Sequence, residues 1–475
     1  MKRRIFGVVL LAVVQCIAYG QNPVRMTLKQ CVETAINNNL QVQQADIQMQ
    51  AAGVNLKQSK NNQLPDLFAN LNHGMNQGRS IDPFTNSYVN QQINFASYSI
   101  NSTVVLFNGL QQRNTIKQNQ LTYEANKMDL QQTKDNITLN VILAYLQVLN
   151  NEELLQQARN QAEVTRRQVD RLRILNESGA VAPATYYDLR GQLATDELTI
   201  VNSQNNLNTA RLTLAQLMNV PYNASLKVEK VMTDTIPAMY GNDPKALYET
   251  SMKQLALVKA ADLRIKSAQK SVLVAKGFYY PTVGLSGSFN TNYSSAARRD
   301  IITNTTESPS GDYVDVGGSK VPVITTKTNF SSEKITFSDQ FNNNYNTSVY
   351  LSVAVPIFNR FSAKNRVALA KLDLKNAQIN AKTIKTQLNQ NIEQAYFNMT
   401  AALDRYKTLQ QQVADFTESF RTAEVRFNAG AITQVDYLIT KNNVDRSRIN
   451  LITAKYDYLL RRKILDYYQS TLSLD

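Results

Sequence analysis

Residues 282–293 read TVGLSGSFNTNY and residues 346–355 read NTSVYLSVAV. In the first stretch Val283, Leu285, Gly287, Phe289 and Tyr293 point one way, and Gly284, Ser286, Ser288, Asn290 and Asn292 point the other. Val349, Leu351, Val353 and Val355 alternate in the same manner with Ser348, Tyr350, Ser352 and Ala354. A period of two marks a strand, because successive side chains leave the pleat on opposite faces. One face here is apolar and the other is small, polar and uncharged. Lipid on one side and an aqueous lumen on the other require that combination, so the two stretches read as a hairpin of an outer-membrane sheet. An earlier segment repeats the pattern: Tyr98, Ile100, Ser102, Val104 and Leu106 alternate with Ser97, Ser99, Asn101 and Thr103, giving two hairpins per chain. Tyr279, Tyr280, Phe358 and Phe361 stand near strand ends, where an aromatic girdle belongs. The connections 72–94 and 294–343 are rich in Ser, Asn, Thr and Gly and read as exposed loops.

The two hairpins belong to an internal duplication. Val32-Glu33-Thr34, Val42, Ala45-Asp46, Ala52 and Pro65 recur at an offset of 216 as Tyr248-Glu249-Thr250, Val258, Ala261-Asp262, Ala268 and Pro281. Leu106-Phe107-Asn108, Ala144-Tyr145 and Gly179-Ala180 recur at an offset of 251 as Ile357-Phe358-Asn359, Ala395-Tyr396 and Gly430-Ala431. The second copy thus carries about 35 extra residues between Pro281 and Ile357. Two copies of this length are too few for a solenoid and imply two halves related by a pseudo-twofold. Residues 110–178 and 361–429 contain neither Gly nor Pro, and each ends at a glycine in a helix C-cap position, Gly179 or Gly430. Each stretch predicts a helix roughly 100 Å long. Residues 27–63, 184–218, 244–279 and 431–470 predict shorter helices that run alongside the long ones. The expected plan is a first repeat over 21–220, a non-helical connection over 221–243 marked by Pro221, Pro237 and Gly241, and a second repeat over 244–475 with its long loop at 294–343.

Residues 1–20 read as a signal peptide, with Lys2, Arg3 and Arg4 ahead of an apolar run and a cleavage point at Gly20/Gln21. Cys16 lacks the small preceding residue of a lipoprotein signal, and Cys31 is then a lone thiol expected to be buried. The chain carries 51 Lys and Arg against 37 Asp and Glu, without a run of like charge, so a solvated surface fits better than a nucleic-acid stripe. After residue 20 no apolar stretch approaches the ~20 residues of a spanning helix. Any span must therefore be β. Four strands cannot close a barrel, and open edges in lipid leave unsatisfied backbone groups at several kcal/mol each by order of magnitude, so the chain must oligomerise.

The order of helix, hairpin and long helix, taken twice, together with the Leu106-Phe107-Asn108-Gly109 and Val355-Pro356-Ile357-Phe358 junctions and the Gly179 and Gly430 turns, resembles the TolC-like outer-membrane efflux family over nearly the whole mature chain. The resemblance implies an α+β membrane protein: a homotrimer with a 12-stranded transmembrane β-barrel and a long periplasmic α-helical barrel in the outer membrane of a Gram-negative bacterium. It implies an exit duct for tripartite efflux or type I secretion, with a periplasmic adaptor and an inner-membrane pump as partners and no cofactor. The turns Gly179-Ala180 and Gly430-Ala431 would meet the adaptor. The family's aperture has aspartates six and nine residues after the second turn glycine and an arginine two after it. Asp436 matches the first aspartate, Ile439 and Ile432 stand at the other two positions, and Asp188, nine after Gly179, is a candidate substitute.

Enzyme chemistry finds little to build on. The chain has one His, His73, and lacks a nucleophile elbow, a phosphate-binding loop and a Cys/His cluster. Asp312 and Asp315 beside Gly317-Gly318 fit a solvated turn better than a calcium loop. The competing class is an exported adhesin or structural coiled coil, which calls for sustained heptads and gives no reason for lipid-compatible hairpins.

Overall fold

The computed structural model describes residues 25–82, 86–224, 226–230, 241 and 243–472. The expected signal peptide over 1–20, its cleavage point, and most of residues 231–242 in the connection lie outside the described residues. In chain order the elements are β1 (Arg25–Met26), α1 (Leu28–Asn38), α2 (Leu40–Asn61), β2 (Phe68–Asn76), β3 (Arg79–Ile81), β4 (Tyr88–Asn90), β5 (Ile93–Asn108), α3 (Gln111–Glu177) and α4 (Pro183–Leu217). The second half continues with β6 (Lys227–Val228), α5 (Pro244–Gln254), α6 (Ala256–Gly277), β7 (Thr282–Ser294), β8 (Arg298–Val316), β9 (Ser319–Lys334), α7 (Phe337–Asn343), β10 (Asn346–Ala354), α8 (Ser362–Asn428) and α9 (Gln434–Tyr468). The duplication is carried into structure. α3 and α8 are both 67 residues long, α4 and α9 both 35, and all four boundaries are related by the 251-residue offset. No described helix is long and apolar enough to cross a membrane.

Without Gly or Pro the long helices lack intrinsic breakers, and their exposed amides brace successive turns. Gln131 donates to Asp135 at 2.7 Å, Gln387 to Asn391 at 2.9 Å and Gln411 to Asp415 at 3.0 Å, all i,i+4 pairs of the kind that support an isolated helix. Helices expected to be continuous over 27–63 and 244–279 are each split in two. The break falls on Asn39 in one copy and Leu255 in the other, 216 residues apart, both with extended backbone. The Asn39 side chain accepts from Gln41 N at 2.8 Å, so it ends α1 and caps α2 at once. Leu255 is held by packing, buried with Leu247, Val258 and Ile392.

The chain forms two compact units. The helical unit comprises residues up to 54, 119–268 and 373 onward. Its core is also duplicated: Val141, Tyr145 and Val148 pack with Cys31, Leu214 and Met218, while Ile392 and Met399, their 251-offset counterparts, pack with Leu247 and Tyr458. Cys31 is fully buried, and the loss of solvent pushes its thiol up to about 12. The Tyr145 hydroxyl donates to the Glu229 carbonyl at 2.5 Å and the Met26 carbonyl at 3.2 Å, clasping the short parallel pair β1 and β6.

The strand unit comprises residues 55–118 and 269–372. Its sheet has the order β10-β7-β5-β2, antiparallel throughout, and both outer strands end in open edges. Register places Ala69, Ile100, Phe289 and Thr347 in one row, and Val104, Leu285 and Leu351 in another. The opposite face is a ladder of small polar groups, with Ser288 and Ser348 hydroxyls 2.8 Å apart, Thr103 and Ser286 hydroxyls 3.4 Å apart, and Asn72 donating to Ser97 at 3.4 Å. None of the four strands contains Asp, Glu, Lys or Arg. A bulge at Leu106 resets the alternation before β5 ends.

Residues 294–343, read as loop, are ordered. β8 and β9 form a long hairpin around Gly317 and Gly318, whose φ values of 65° and 87° suit a two-residue turn. The β-branched alternation of Val314 and Val316 with Val321, Val323 and Thr325 explains the strands, and was obscured by the Ser and Asn between them. Short α7 then seals this end of the sheet: Gln340, fully buried, accepts from Ser294 N at 2.8 Å and donates to the Ser294 and Ile335 carbonyls at 2.9 and 3.0 Å. Phe337 lies 5.3 Å from Tyr293, and Phe341 5.9 Å from Tyr98. In 72–94, likewise, β2 runs on to Asn76, and β3 pairs with β4.

Candidate functional site

The two helix turns are built identically. At the first, Gly179 N donates to Asn176 O at 3.0 Å and Ala180 N to Leu175 O at 2.8 Å. At the second, Gly430 N donates to Phe427 O at 3.0 Å and Ala431 N to Arg426 O at 2.8 Å. Each set is a Schellman cap, and both glycines hold φ near +75° (75° and 74°), where a Cβ is disfavoured although nothing else stands within 4 Å of it. Ala180 and Ala431 are exposed. Side chains tie the turns together: Arg171 of α3 donates to the side chain of Asn428 and, at 2.8 Å, to its carbonyl, and Gln434 donates to the Thr185 carbonyl at 2.9 Å. Beneath them Val169, Leu172, Leu189 and Tyr437 form a small core, in which Tyr437 stacks on Phe427 at 4.6 Å.

The four aperture candidates do not form one cluster. Asp436 is the third residue of α9 and sits in a capping box: its carboxylate accepts from the Thr433 hydroxyl at 2.7 Å, and its N–H donates to the same oxygen at 3.2 Å. Asp436 and Ile432 line an open groove of about 610 Å³ with Asp415, Glu418 and Arg426. Ile432 also packs against the small core under the turns. Ile439 and Asp188 are exposed and lie outside that groove.

Sequence reading missed a buried charge cluster nearby. Lys441 of α9 is 1% exposed, and its ammonium lies 3.1 Å from Asp196 Oδ2 of α4 and 2.7 Å from Asp445 Oδ2. Asp196 further accepts from the Thr165 hydroxyl of α3 at 2.5 Å and from Gln192 at 2.8 Å. Burial raises the Asp445 carboxyl above its ordinary range; Lys441 pulls it down, Asp196 pushes it back up, and Arg448 one turn on pulls it down more weakly. The cluster therefore cross-links three helices. A signal existed: Lys441 falls on the apolar face defined by Tyr437 and Val444, and Asp196 falls seven after Leu189. Among the described residues no group of three or more His, Cys, Asp or Glu is arranged to hold a metal. His73 lies in β2 opposite Ala96, and Asp315 accepts from Gly318 N at 2.9 Å in the β8–β9 turn.

A duplicated chain of paired long helices whose charge-free sheet has one apolar and one polar face is an outer-membrane protein of α+β class. The outer membrane efflux protein family matches residues 31–220 and 313–466, and the chain belongs to that family. The outer membrane protein TolC of Salmonella enteritidis is 24% identical over 348 residues, 72% of this chain and 62% of that one. The toxin and drug export protein A of Aggregatibacter actinomycetemcomitans is 20% identical over 343 residues, 71% of this chain and 64% of that one. The matched region thus spans less than two thirds of these relatives' length. The transmembrane channel CusC shares the fold, with a TM-score of 0.74 over 95% of both chains at 14% identity. Family membership places the chain in the Gram-negative outer membrane, among the efflux proteins.

Proposed function

We propose that the chain is one protomer of a homotrimeric exit duct for tripartite efflux or type I secretion, without enzymatic activity. The observation that carries this reading is the sheet: four charge-free strands, apolar on one face and lined with hydroxyls and amides on the other, with two open edges. Joining the free edge of β10 to the free edge of β2 in the next copy closes a twelve-stranded barrel with three chains and leaves no edge in lipid. The helices support the same join. Leu40, Ile47 and Val54 repeat every seven residues along α2 and are 67, 65 and 66% exposed, as are Leu369 and Leu372 on α8 at 62 and 63%. Apolar side chains left bare along helices on either side of the sheet's free edges call for a partner, and a neighbouring copy supplies one.

In this reading the domain plan is a first repeat over 21–220, a connection over 221–243 and a second repeat over 244–475, with the β8–β9 hairpin extracellular. The turns at Gly179-Ala180 and Gly430-Ala431 form the periplasmic end and dock an adaptor, through which an inner-membrane pump is engaged. Asp436, Ile432 and Ile439 narrow the aperture, with Asp188 a substitute carboxylate on the first turn's side. Labelling tests the topology. In a Cys31→Ala background an impermeant thiol reagent on intact cells reaches a cysteine at Ser310 and not one at Ala180; equal labelling of the two removes the reading.

A further inference from the structure

Each copy of the repeat turns from strand to helix through two consecutive residues of left-handed backbone, Gly109 and Leu110 with φ of 64° and 63°, and Arg360 and Phe361 with φ of 54° and 59°. Three of the four are not glycine, so a disfavoured conformation is kept twice at the same place. Its effect is to leave apolar side chains outside. Leu106, Phe107 and Leu110 are exposed in the first copy, and their counterparts Ile357, Phe358 and Phe361 are exposed in the second, Ile357 at 96%. One turn into each helix comes a cation, Arg113 or Lys364, again counterparts at the 251 offset. Lys364 Nζ lies 5.8 Å from the centre of the Phe361 ring, and that ring meets Phe358 edge-on at 5.6 Å.

In the second copy Lys364 falls on the apolar side of the sheet, and Arg113 holds the corresponding place in the first. Arg366, its guanidinium 4.6 Å from the Phe278 ring, lines a groove with Val105, Thr282 and Ala354, residues of the polar face. Lys364 precedes it by two positions, about 200° around the helix, and Lys371 follows Lys364 by two turns on the same side. Charge is asymmetric between the two ends of this unit. Residues 55–67, 109–118, 269–281 and 355–372, at the helical end, hold ten Lys and Arg and a single acid, Asp66. Residues 77–92 and 295–345, at the other end, hold six bases and seven acids. Among the described residues none of the ten cations makes an ion pair within 4.0 Å, whereas Arg264 and Lys385, deeper in the helices, pair with Asp129 and Asp262.

We propose that these twin junctions, Leu106–Lys117 and Ile357–Lys371, are seats for anionic phospholipid of the inner leaflet of the outer membrane: the aromatic and aliphatic side chains enter the acyl boundary, and Arg113, Lys117, Lys364 and Lys371 hold headgroup phosphates. The inference rests on the outer-membrane location and goes beyond the exit-duct reading. The absence of Trp from the chain gives a clean reporter. Phe358→Trp in the assembled full-length protein is reconstituted with phosphatidylethanolamine, and quenching by brominated phosphatidylglycerol is compared with quenching by brominated phosphatidylethanolamine at equal mole fraction. The anionic lipid binds more tightly, by roughly fivefold per engaged cation at low salt. The preference shrinks in 0.5 M salt, by the order of magnitude that screening allows. Changing Arg113, Lys117, Lys364 and Lys371 together to Gln abolishes it, while Lys320→Gln with Lys327→Gln in the far hairpin leaves it intact. Equal quenching by both lipids in the parent, an undiminished preference in the fourfold variant, or displacement by soluble glycerol phosphate would each overturn the proposal. Failure of either lipid to quench would overturn it by another route, since the apolar face would then not meet lipid at all.

Discussion

Replacing Lys441 by Met isolates the energetics of the helix cross-link. The side chain is buried, with 2% of it exposed, and its single positive charge is shared by two carboxylates, Asp196 at 3.1 Å and Asp445 at 2.7 Å, whose side chains are only 10 and 16% exposed. Methionine fits the volume but strips both buried acids of the ammonium they share, leaving Asp445 only the weaker field of Arg448. Removing one partner of a buried ion cluster costs about 3–5 kcal/mol, of which uptake of a proton by Asp445 returns part. The expected result is that amides of α9 and the facing turn of α4 exchange hydrogen roughly 10²- to 10³-fold faster at neutral pH, while those of the Tyr145 core are unaffected. The triple change Lys441→Met, Asp196→Asn and Asp445→Asn removes all charge together and restores protection to within about 1 kcal/mol of the parent. Mass-resolved hydrogen exchange on the assembled protein reads both variants. Unchanged exchange in Lys441→Met, or a triple variant as labile as the single one, would refute the reasoning that unpaired burial sets the cost.

The same cluster has a definite pH sign. Burial is the leading influence on Asp445 and raises its folded pKa above the unfolded value, so its contribution favours the folded arrangement at low pH and is lost as pH rises through the folded pKa. The stability of Asp445→Asn relative to the parent, read from α9 protection, therefore improves as pH rises from the ordinary carboxylate range toward 7; a difference independent of pH contradicts the assignment. At the second turn, Gly430→Ala costs about 1 kcal/mol through its positive φ alone, whereas Gly430→Trp leaves the protein assembled in the outer membrane but abolishes efflux; normal transport with Trp removes the docking role. In planar bilayers Asp436→Asn lowers cation selectivity with little change in resting conductance, and Ile439→Ser raises conductance by wetting the constriction; the reverse pattern points to closure by charge.

The strands and long helices were legible because their signals are periodic and local. Period-two alternation in 282–293 and the absence of Gly and Pro in 111–177 and 362–428 need no knowledge of the rest of the chain. The break at Leu255 was not legible, because a buried contact with Ile392, far off in sequence, imposes it where helix propensity alone would continue. At Asn39 the signal was present as a residue that caps two helices, but a single Asn among many is weak evidence. The β8–β9 hairpin was masked by composition, since Ser, Thr and Asn serve loops and exposed strands alike. Among the site residues, the turn glycines and Asp436 could be picked out from position, while the capping box that Asp436 makes with Thr433 and the packing of Ile432 in a small core appear only in the structure. The Lys441 cluster spans three helices, and only tertiary structure brings Thr165, Asp196 and Lys441 together.

The central claim is that three copies close one barrel by joining β10 to β2. Oxidative cross-linking in outer membranes, in a Cys31→Ala background, tests it most directly. One cysteine is moved along Ala69, Leu71 and His73, the other along Val349 and Leu351, with Ser99 and Asn290, paired within one sheet, as the intrachain control. The account expects at least one edge combination to yield covalent dimers and trimers and nothing larger, while the control pair stays monomeric. Edge pairs that never cross-link between chains, or a ladder that continues past three, would contradict it.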